Sequence, residues 1–123
     1  MKAYLVDVYN ETAGAVEVEP TLESYYKLLD CDLIDIVSRA IGGVYYDIVC
    51  DDEGLFHDPQ KISAINDMGE PMLVGNLLIC LNDGEGELVG LEDQDVFHIT
   101  KCIQRMYTEN YPKGYPMLTQ CEY

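Results

Sequence analysis

Basic residues are scarce in this sequence. Its 123 residues include 7 Lys and Arg against 23 Asp and Glu, which gives a formal net charge of −16. A chain this acidic repels nucleic-acid phosphates and anionic membrane surfaces. The charge balance therefore excludes conventional DNA or RNA binding and membrane-surface binding, and it predicts that a macromolecular partner would present a basic surface.

Long apolar runs and closely paired cysteines are missing as well. No segment approaches the roughly 18 apolar residues of a membrane helix, and the N-terminal residues lack the pattern of a signal peptide. The five cysteines are widely spaced, and none belongs to a C-x-x-C pair. An odd number of scattered cysteines is typical of reduced thiols. We therefore expect a cytoplasmic protein without a disulfide framework.

The chain nevertheless has the composition of a folded domain. Hydrophobic residues make up 48% of it, and its length suits one domain. Alternating apolar and polar residues indicate strands, and apolar residues at helical spacing indicate helices. The pattern predicts strands over residues 2–9, 15–19, 32–41, 44–50, 72–81 and 87–91, a helix over 21–29, one or two helical turns over 60–66, and a helix that begins at Asp93.

Capping residues and apolar spacing define the two main helices. Thr21 is the predicted N-cap of the first helix and Asp93 that of the second. The second helix is predicted to place on one face Val96, Ile99, Ile103 and Met106. We expect an α+β fold, with a small mixed, mainly antiparallel sheet of hairpins and the two helices packed on one face. Residues 1–107 would form a single α+β domain, and residues 108–123, with two prolines and a glycine, an irregular C-terminal tail.

The acidic residues are concentrated in the middle of the sequence. Residues 40–100 contain thirteen of the acids and a single base, Lys61. Most of these acids fall in predicted turns. There they would keep the loops solvated, imitate a phosphate backbone and occupy a basic channel, or form a cation site of a type other than the EF-hand. In the second interpretation, the partner-binding acidic surface consists of Asp47, Asp51, Asp52, Glu53, Asp58, Asp83, Glu85, Glu87, Glu92, Asp93 and Asp95.

Residues that could carry catalysis or bind metal are few. Cys50 and His57 could form a thiol–imidazole pair, but Cys50 ends an apolar strand and is better interpreted as a buried structural thiol. His98 lies in the middle of the predicted second helix, and two histidines without paired spacing do not make a zinc site. The EF-hand calcium pattern fails at each candidate glycine. We therefore predict no catalytic residue, no metal site and no cofactor.

Three short motifs give the sequence a family resemblance. They are IVCDDEG (48–54), an acidic turn with a glycine after an apolar strand, LVGNLLI (73–79), and GLEDQD (90–95), which leads into the last helix. Over roughly residues 1–107 the chain resembles the DUF3846 family, small proteins of unknown function from bacteria, mostly Firmicutes, and from their phages and mobile elements. The resemblance implies a setting in which accessory and counter-defence proteins are common, and it implies no catalytic residues.

These observations together predict a non-enzymatic accessory protein of a phage or mobile element that acts by binding another protein. In the most specific form, it inhibits a host nucleic-acid-binding defence enzyme, of the anti-CRISPR or anti-restriction type, by nucleic-acid mimicry. That form requires the acidic residues to share one face. The alternative is a regulatory module that binds a small molecule or a metal of unknown identity. A ligand module would have a concave apolar pocket with few convergent polar groups.

Overall fold

Strands dominate the fold of this chain. A computed structural model describes residues 1–53 and 61–123. In these ranges the elements, in chain order, are β1 (Lys2–Asp7), β2 (Thr12–Glu17), α1 (Leu22–Leu29), β3 (Ile34–Ile41), β4 (Val44–Asp51), β5 (Ile62–Ile65), β6 (Pro71–Val74), β7 (Leu77–Asn82), β8 (Leu88–Val89), α2 (Asp93–Lys101), β9 (Ile103–Thr108), β10 (Tyr111–Leu118) and β11 (Cys121–Glu122).

The larger of two sheets is antiparallel throughout. Its strand order is β11-β3-β4-β7-β1-β2, and β8 pairs with β7. The β3–β4 hairpin turns at Gly42 and Gly43, whose φ angles of 55° and 86° lie in the left-handed region. Two successive positive φ values are typical of the type I′ turn that fits a twisted two-stranded hairpin. The hairpin predicted from this Gly-Gly pair is confirmed.

The smaller sheet has the order β6-β5-β10-β9. It is mixed, because β10 runs parallel to β5 and antiparallel to β9. The predicted α+β class and the mainly antiparallel pairing are confirmed, with the strands divided over two sheets. The division occurs inside the apolar run 72–81, predicted as one strand, because Gly75 adopts a φ of 75° and turns the chain from β6 in one sheet to β7 in the other.

Each face of the larger sheet carries a buried apolar cluster. Successive residues of a strand point to opposite faces, so Ile48 of β4 packs in the cluster that contains Ile99 of α2 and Leu118 of β10. On the other face, Val49 packs with Leu29 of α1. The two helices therefore lie on opposite sides of the larger sheet, not on one face as predicted. The smaller sheet lies on the same side as α2, and α1 packs on the other side. We call the two sides the α1 side and the α2 side.

The prediction for the second helix is wrong at both ends. Its N-cap is Glu92, one residue before Asp93, and it ends at Lys101. The backbone N–H and the side-chain hydroxyl of Thr119 both donate to the carbonyl of Cys102, at 2.7 and 2.8 Å. These two bonds hold Cys102 beside the end of β10. Residues 103 and 106 therefore belong to strand β9 instead of the helix. For α1 the predicted N-cap, Thr21, is confirmed.

Two other local predictions are wrong. Residues 62–65, predicted as helical turns, form β5, whose central Ser63 and Ala64 are fully buried. The segment predicted as an irregular tail forms β10 and β11. Pro112 and Gly114 fit this strand because the pairing with β9 shifts register between Tyr111 and Tyr115, whereas Pro116 lies in the regular ladder opposite Arg105. In both segments tertiary burial outweighs local sequence preference.

Neither α1 nor α2 has the length and apolar character that spanning a bilayer demands, within residues 1–53 and 61–123.

Candidate functional site: an acidic cleft at one end of the larger sheet

The acidic residues predicted from the sequence include two turns, 51–53 and 83–87, that lie at opposite ends of the larger sheet. Pairing of Cys50 with Leu77, and of Asp47 with Cys80, places the end of β4 beside the start of β7. The turn 51–53 therefore lies at one end of the sheet, and the turn 83–87, which follows β7, lies at the other. The length of β4 separates them by about 23 Å, at about 3.3 Å per residue.

The predicted acids are also divided between the two sides of the sheet. Asp47 lies on the α1 side, next to Cys80. Burial raises the pKa of the Cys80 thiol, and the carboxylate of Asp47 raises it further. Asp95 lies on the α2 side, where its Oδ1 accepts a hydrogen bond at 3.1 Å from the hydroxyl of Tyr46. Consecutive strand residues 46 and 47 cannot point to the same side. The predicted acidic residues for which the structure gives positions therefore do not share one face.

Several predicted acids stabilise local structure. Glu92 and Asp95 form a capping box at the start of α2, in which Asp95 Oδ2 accepts from the Glu92 N–H at 2.9 Å. Asp93 pairs with Lys2, and Asp83 Oδ1 accepts from the N–H groups of Glu85 and Glu87. Carboxylates in capping boxes and turns are ordinary stabilising features. Asp52, Glu85 and Glu87 are exposed; Asp58 and His57 lie outside the described residues.

Two of the predicted acids do converge with others in a cavity. At the end of β4, a cavity of about 230 Å³ is lined by Tyr26, Asp30, Cys31, Asp32, Asp51 and Glu53. We call its four carboxylate residues, Asp30, Asp32, Asp51 and Glu53, the acidic cleft. Within the described ranges no Lys, Arg or His lines it. Asp30 is the C-cap of α1, in the left-handed conformation with φ of 53°, and the carbonyl end of a helix adds partial negative charge.

The thiol of Cys31 reports the potential inside the cleft. Burial is the largest cause that raises its pKa, to about 11, and the carboxylates of Asp51, Asp32 and Asp30 raise it further. The negative potential of these carboxylates disfavours a thiolate and favours a cation at the same place. The acidic cleft is therefore suited to a positively charged group.

A larger cavity adjoins the acidic cleft and shares Asp30 and Asp51 with it. It has a volume of about 470 Å³, and Lys27, Asn76 and Asp7 also line it. Asp7 holds the β1–β2 turn, since its Oδ1 accepts from the N–H of Asn10 at 2.9 Å. Mixed charge distinguishes this cavity from the wholly acidic cleft.

Asp30 and Asp32 were not among the residues predicted from the sequence. They lie in the link between α1 and β3, outside the acid-rich segment 40–100, and only the packing of α1 beside the end of β4 brings them to Asp51. The sequence signal that could have indicated them is their position immediately after a helix, where carboxylates face the unfavourable end of the helix dipole and are therefore unusual.

The cysteines and His98 have structural surroundings. All five cysteines are free. Cys50 is buried, as predicted; burial raises its pKa to about 11, and its thiol donates to the carbonyl of Asp35. His98 Nε2 lies 2.8 Å from the carbonyl oxygen of Ile41. In the part of the chain with described positions, no three His, Cys, Asp or Glu residues are grouped so that they could hold a metal ion.

Comparison with known proteins gives one match. A family model described as "Domain of unknown function (DUF3846)" matches residues 1–107. No curated protein and no solved structure matches the chain.

Proposed function

Since the chain belongs to the DUF3846 family, whose description assigns no activity, we propose from its own geometry that it is a non-enzymatic accessory protein. It acts by binding a basic surface of another protein, and the acidic cleft is its principal contact. A cytoplasmic location is part of the proposal and agrees with five free thiols, four of them buried.

The observation that carries this proposal is that Asp30, Asp32, Asp51 and Glu53 line one cavity, and that none of its lining residues within 1–53 and 61–123 is basic. Asp30 and Asp32 lie in the link between α1 and β3, and Asp51 and Glu53 lie at and just after the end of β4. An Arg or Lys side chain placed in this cavity would be attracted by several nearby carboxylates and could form charge-assisted hydrogen bonds with them.

The partner class follows from the charge of the whole chain. At a net charge of −16, long-range attraction steers the protein toward strongly basic surfaces and accelerates association. Nucleic-acid channels of host defence enzymes are surfaces of this kind, and occupation of one by the acidic cleft would exclude phosphates from it. Because the predicted acids do not share one face, we do not retain mimicry by the whole predicted surface. The proposal is narrower: the acidic cleft, at one end of the sheet, makes the contact, and the turn 83–87 at the other end does not.

The test compares two charge reversals of equal size. The double variant Asp32→Lys with Glu53→Lys alters the acidic cleft, and Glu85→Lys with Glu87→Lys makes the same charge change at the opposite end. A pull-down from host lysate identifies the partner, and titration of that partner follows. We expect the cleft variant to lower affinity by at least about tenfold, or about 1.4 kcal/mol, and the control to change it by no more than about threefold.

Two controls make the titration decisive. Circular dichroism spectra of both variants establish that each is folded, and titrations at low and high salt measure the electrostatic share of binding. Equal losses in the two variants would show that diffuse charge, and not the acidic cleft, is responsible. Affinity that does not depend on salt would contradict the proposal altogether.

A small-molecule site is the second candidate function. The observation in its favour is the cavity of about 470 Å³ with Lys27, Asn76 and Asp30 in its lining, since ligand cavities commonly measure about 300–1,000 Å³. A ligand there should raise the melting temperature of the wild-type protein and not that of a Lys27→Glu variant. Screening zwitterionic metabolites by thermal shift tests this candidate separately from the protein partner.

A further inference from the structure

Strand β3 has an open edge along most of its length. On one side it pairs with β4 over all eight residues. On the other side β11 pairs only with Ala40 and Ile41. In the described parts of the chain, no strand pairs with residues 34–39 on that side.

Two hydrogen bonds identify the backbone groups that face this open edge. The carbonyl of Leu33 accepts from the N–H of Asp52, in register with the β3–β4 ladder, and the N–H of Gly42 donates to Gln120, in register with β11. Inward and outward residues alternate along an antiparallel strand. Odd-numbered residues of β3 therefore bond to β4, while Ile34, Ile36 and Ser38 direct their N–H and C=O groups outward.

Two of the outward groups are capped by neighbouring side chains. Asp35 Oδ1 accepts from the N–H of Ile36 at 2.9 Å, and Arg39 Nη1 donates to the carbonyl of Ser38 at 2.9 Å. Both contacts are exposed to solvent. Charged side chains of this kind, together with the mutual repulsion of two chains at −16, discourage a second copy from pairing at the same edge.

We propose that the basic partner contributes an extended segment that adds to β3 as a further strand, with backbone hydrogen bonds to Ile36 and Ser38. This inference rests on the proposed function and specifies its binding mode. Strand addition obtains affinity from main-chain bonds and specificity from alternate side chains.

The surroundings of the edge fit a segment that alternates basic and apolar residues. On the α1 side, Ile36 is 46% exposed, which gives an apolar side chain of the added strand a surface to cover. On the α2 side, Asp35 is exposed, whereas Arg39 on the same side places a positive charge at the other end of the open edge, so the basic residue of the segment belongs opposite Asp35. A Lys or Arg opposite Asp35 would pair with its carboxylate. The N–H of Ile36 would then be available to donate to the added strand. Asp32 of the acidic cleft lies just before β3, so it extends the acidic surface along the path of the strand.

The probe for this inference is a synthetic nine-residue peptide of alternating Lys and Val. Its control is the same peptide N-methylated at alternate residues, which keeps charge and side chains but removes the donors that a ladder needs. Calorimetry at low salt should show the control binding at least about tenfold more weakly, equivalent to about 1.4 kcal/mol. Equal binding of the two peptides would overturn strand addition and leave the proposed electrostatic function intact. Failure of both peptides to bind would contradict both proposals.

Amide hydrogen exchange tests the site directly. Addition of the Lys–Val peptide should slow exchange of the Ser38 amide by at least about tenfold, while the Val37 amide, already in the β3–β4 ladder, should not change. Protection of Ser38 that rises with protein concentration in the absence of peptide would show that a second copy occupies the edge, which contradicts the proposed occupant. An Ile36→Pro variant should abolish peptide binding, and Ile36→Val, which keeps the N–H, should retain it.

Discussion

Asn76 shows how one side chain links two parts of this fold. It is 5% exposed, and its Oδ1 accepts from the backbone N–H of Val8 at 2.9 Å. Val8 follows strand β1, whereas Asn76 follows the turn at Gly75 that separates the two sheets. The bond therefore fixes the place where the chain enters β7, beside the larger cavity.

Replacing Asn76 by Ala should destabilise the protein by about 1–3 kcal/mol, because the buried N–H of Val8 would lose its acceptor. Asn82→Ala is the matched control. Asn82 also accepts from a backbone N–H, that of Gly84 at 2.8 Å, but this contact is exposed, so water replaces the lost acceptor. We expect a cost below about 1 kcal/mol for the control. Urea denaturation measures both, and equal costs would contradict the role assigned to burial.

The β3–β4 hairpin and helix α2 are coupled through one turn. A Cβ atom added at Gly42 would lie 3.0 Å from both Cys102 Sγ and His98 Nε2, whereas one added at Gly43 would meet no atom within 4 Å. His98 also contacts the carbonyl of Ile41. The hairpin turn therefore packs directly against the C-terminal half of α2.

The two glycines allow backbone strain to be separated from packing. Gly43→Ala should cost about 1 kcal/mol, because alanine disfavours the positive φ. Gly42→Ala should cost about 1–3 kcal/mol more, since the methyl group also displaces His98 and Cys102. Thermal denaturation gives the difference, and chemical shifts of the His98 ring report the displacement. Similar stability of the two variants would show that the turn and α2 are not tightly packed.

For the molecule as a whole, buried thiols set an upper pH limit on stability. Burial raises the pKa of Cys50 and of Cys121 to about 11, and that of Cys80 to about 12, from 9.0. Burial and the hydrogen bond to Asp95 also raise the pKa of Tyr46. In each case the folded protein holds a proton that the unfolded chain releases at lower pH.

The free energy of unfolding should therefore fall as pH rises from about 9 to about 11. A group with a raised folded-state pKa contributes its full stability below the unfolded pKa and loses it by the folded pKa. We expect the free energy of unfolding to fall by roughly 1–3 kcal/mol per fully buried thiol. Chemical denaturation at a series of pH values measures this loss. Cys50→Ala should reduce the slope with which the free energy of unfolding falls as the pH rises. A wild-type curve that stays level over this range would contradict the assignment.

Much of the local structure could be predicted from the sequence. The Gly42-Gly43 hairpin, the N-cap at Thr21 and the first helix depend on contacts between near neighbours, so their sequence signals are direct. The strands β5 and β10 could not be predicted in this way. Each pairs with a strand close in sequence, β5 with β6 and β10 with β9, but both pairings contain register shifts that interrupt the regular strand pattern, and the pairing of Leu118 with Ala64 joins distant segments.

By itself the sequence determined the charge of this protein, its free thiols, its family and its α+β class, because these depend on composition or on short-range patterns. Only the tertiary structure decided which acids act together. The pairing of β4 with β7 sent the turns 51–53 and 83–87 to opposite ends of a sheet, and the packing of α1 brought Asp30 and Asp32 to Asp51. Position along a chain does not specify position in space when antiparallel strands reverse its direction at every turn.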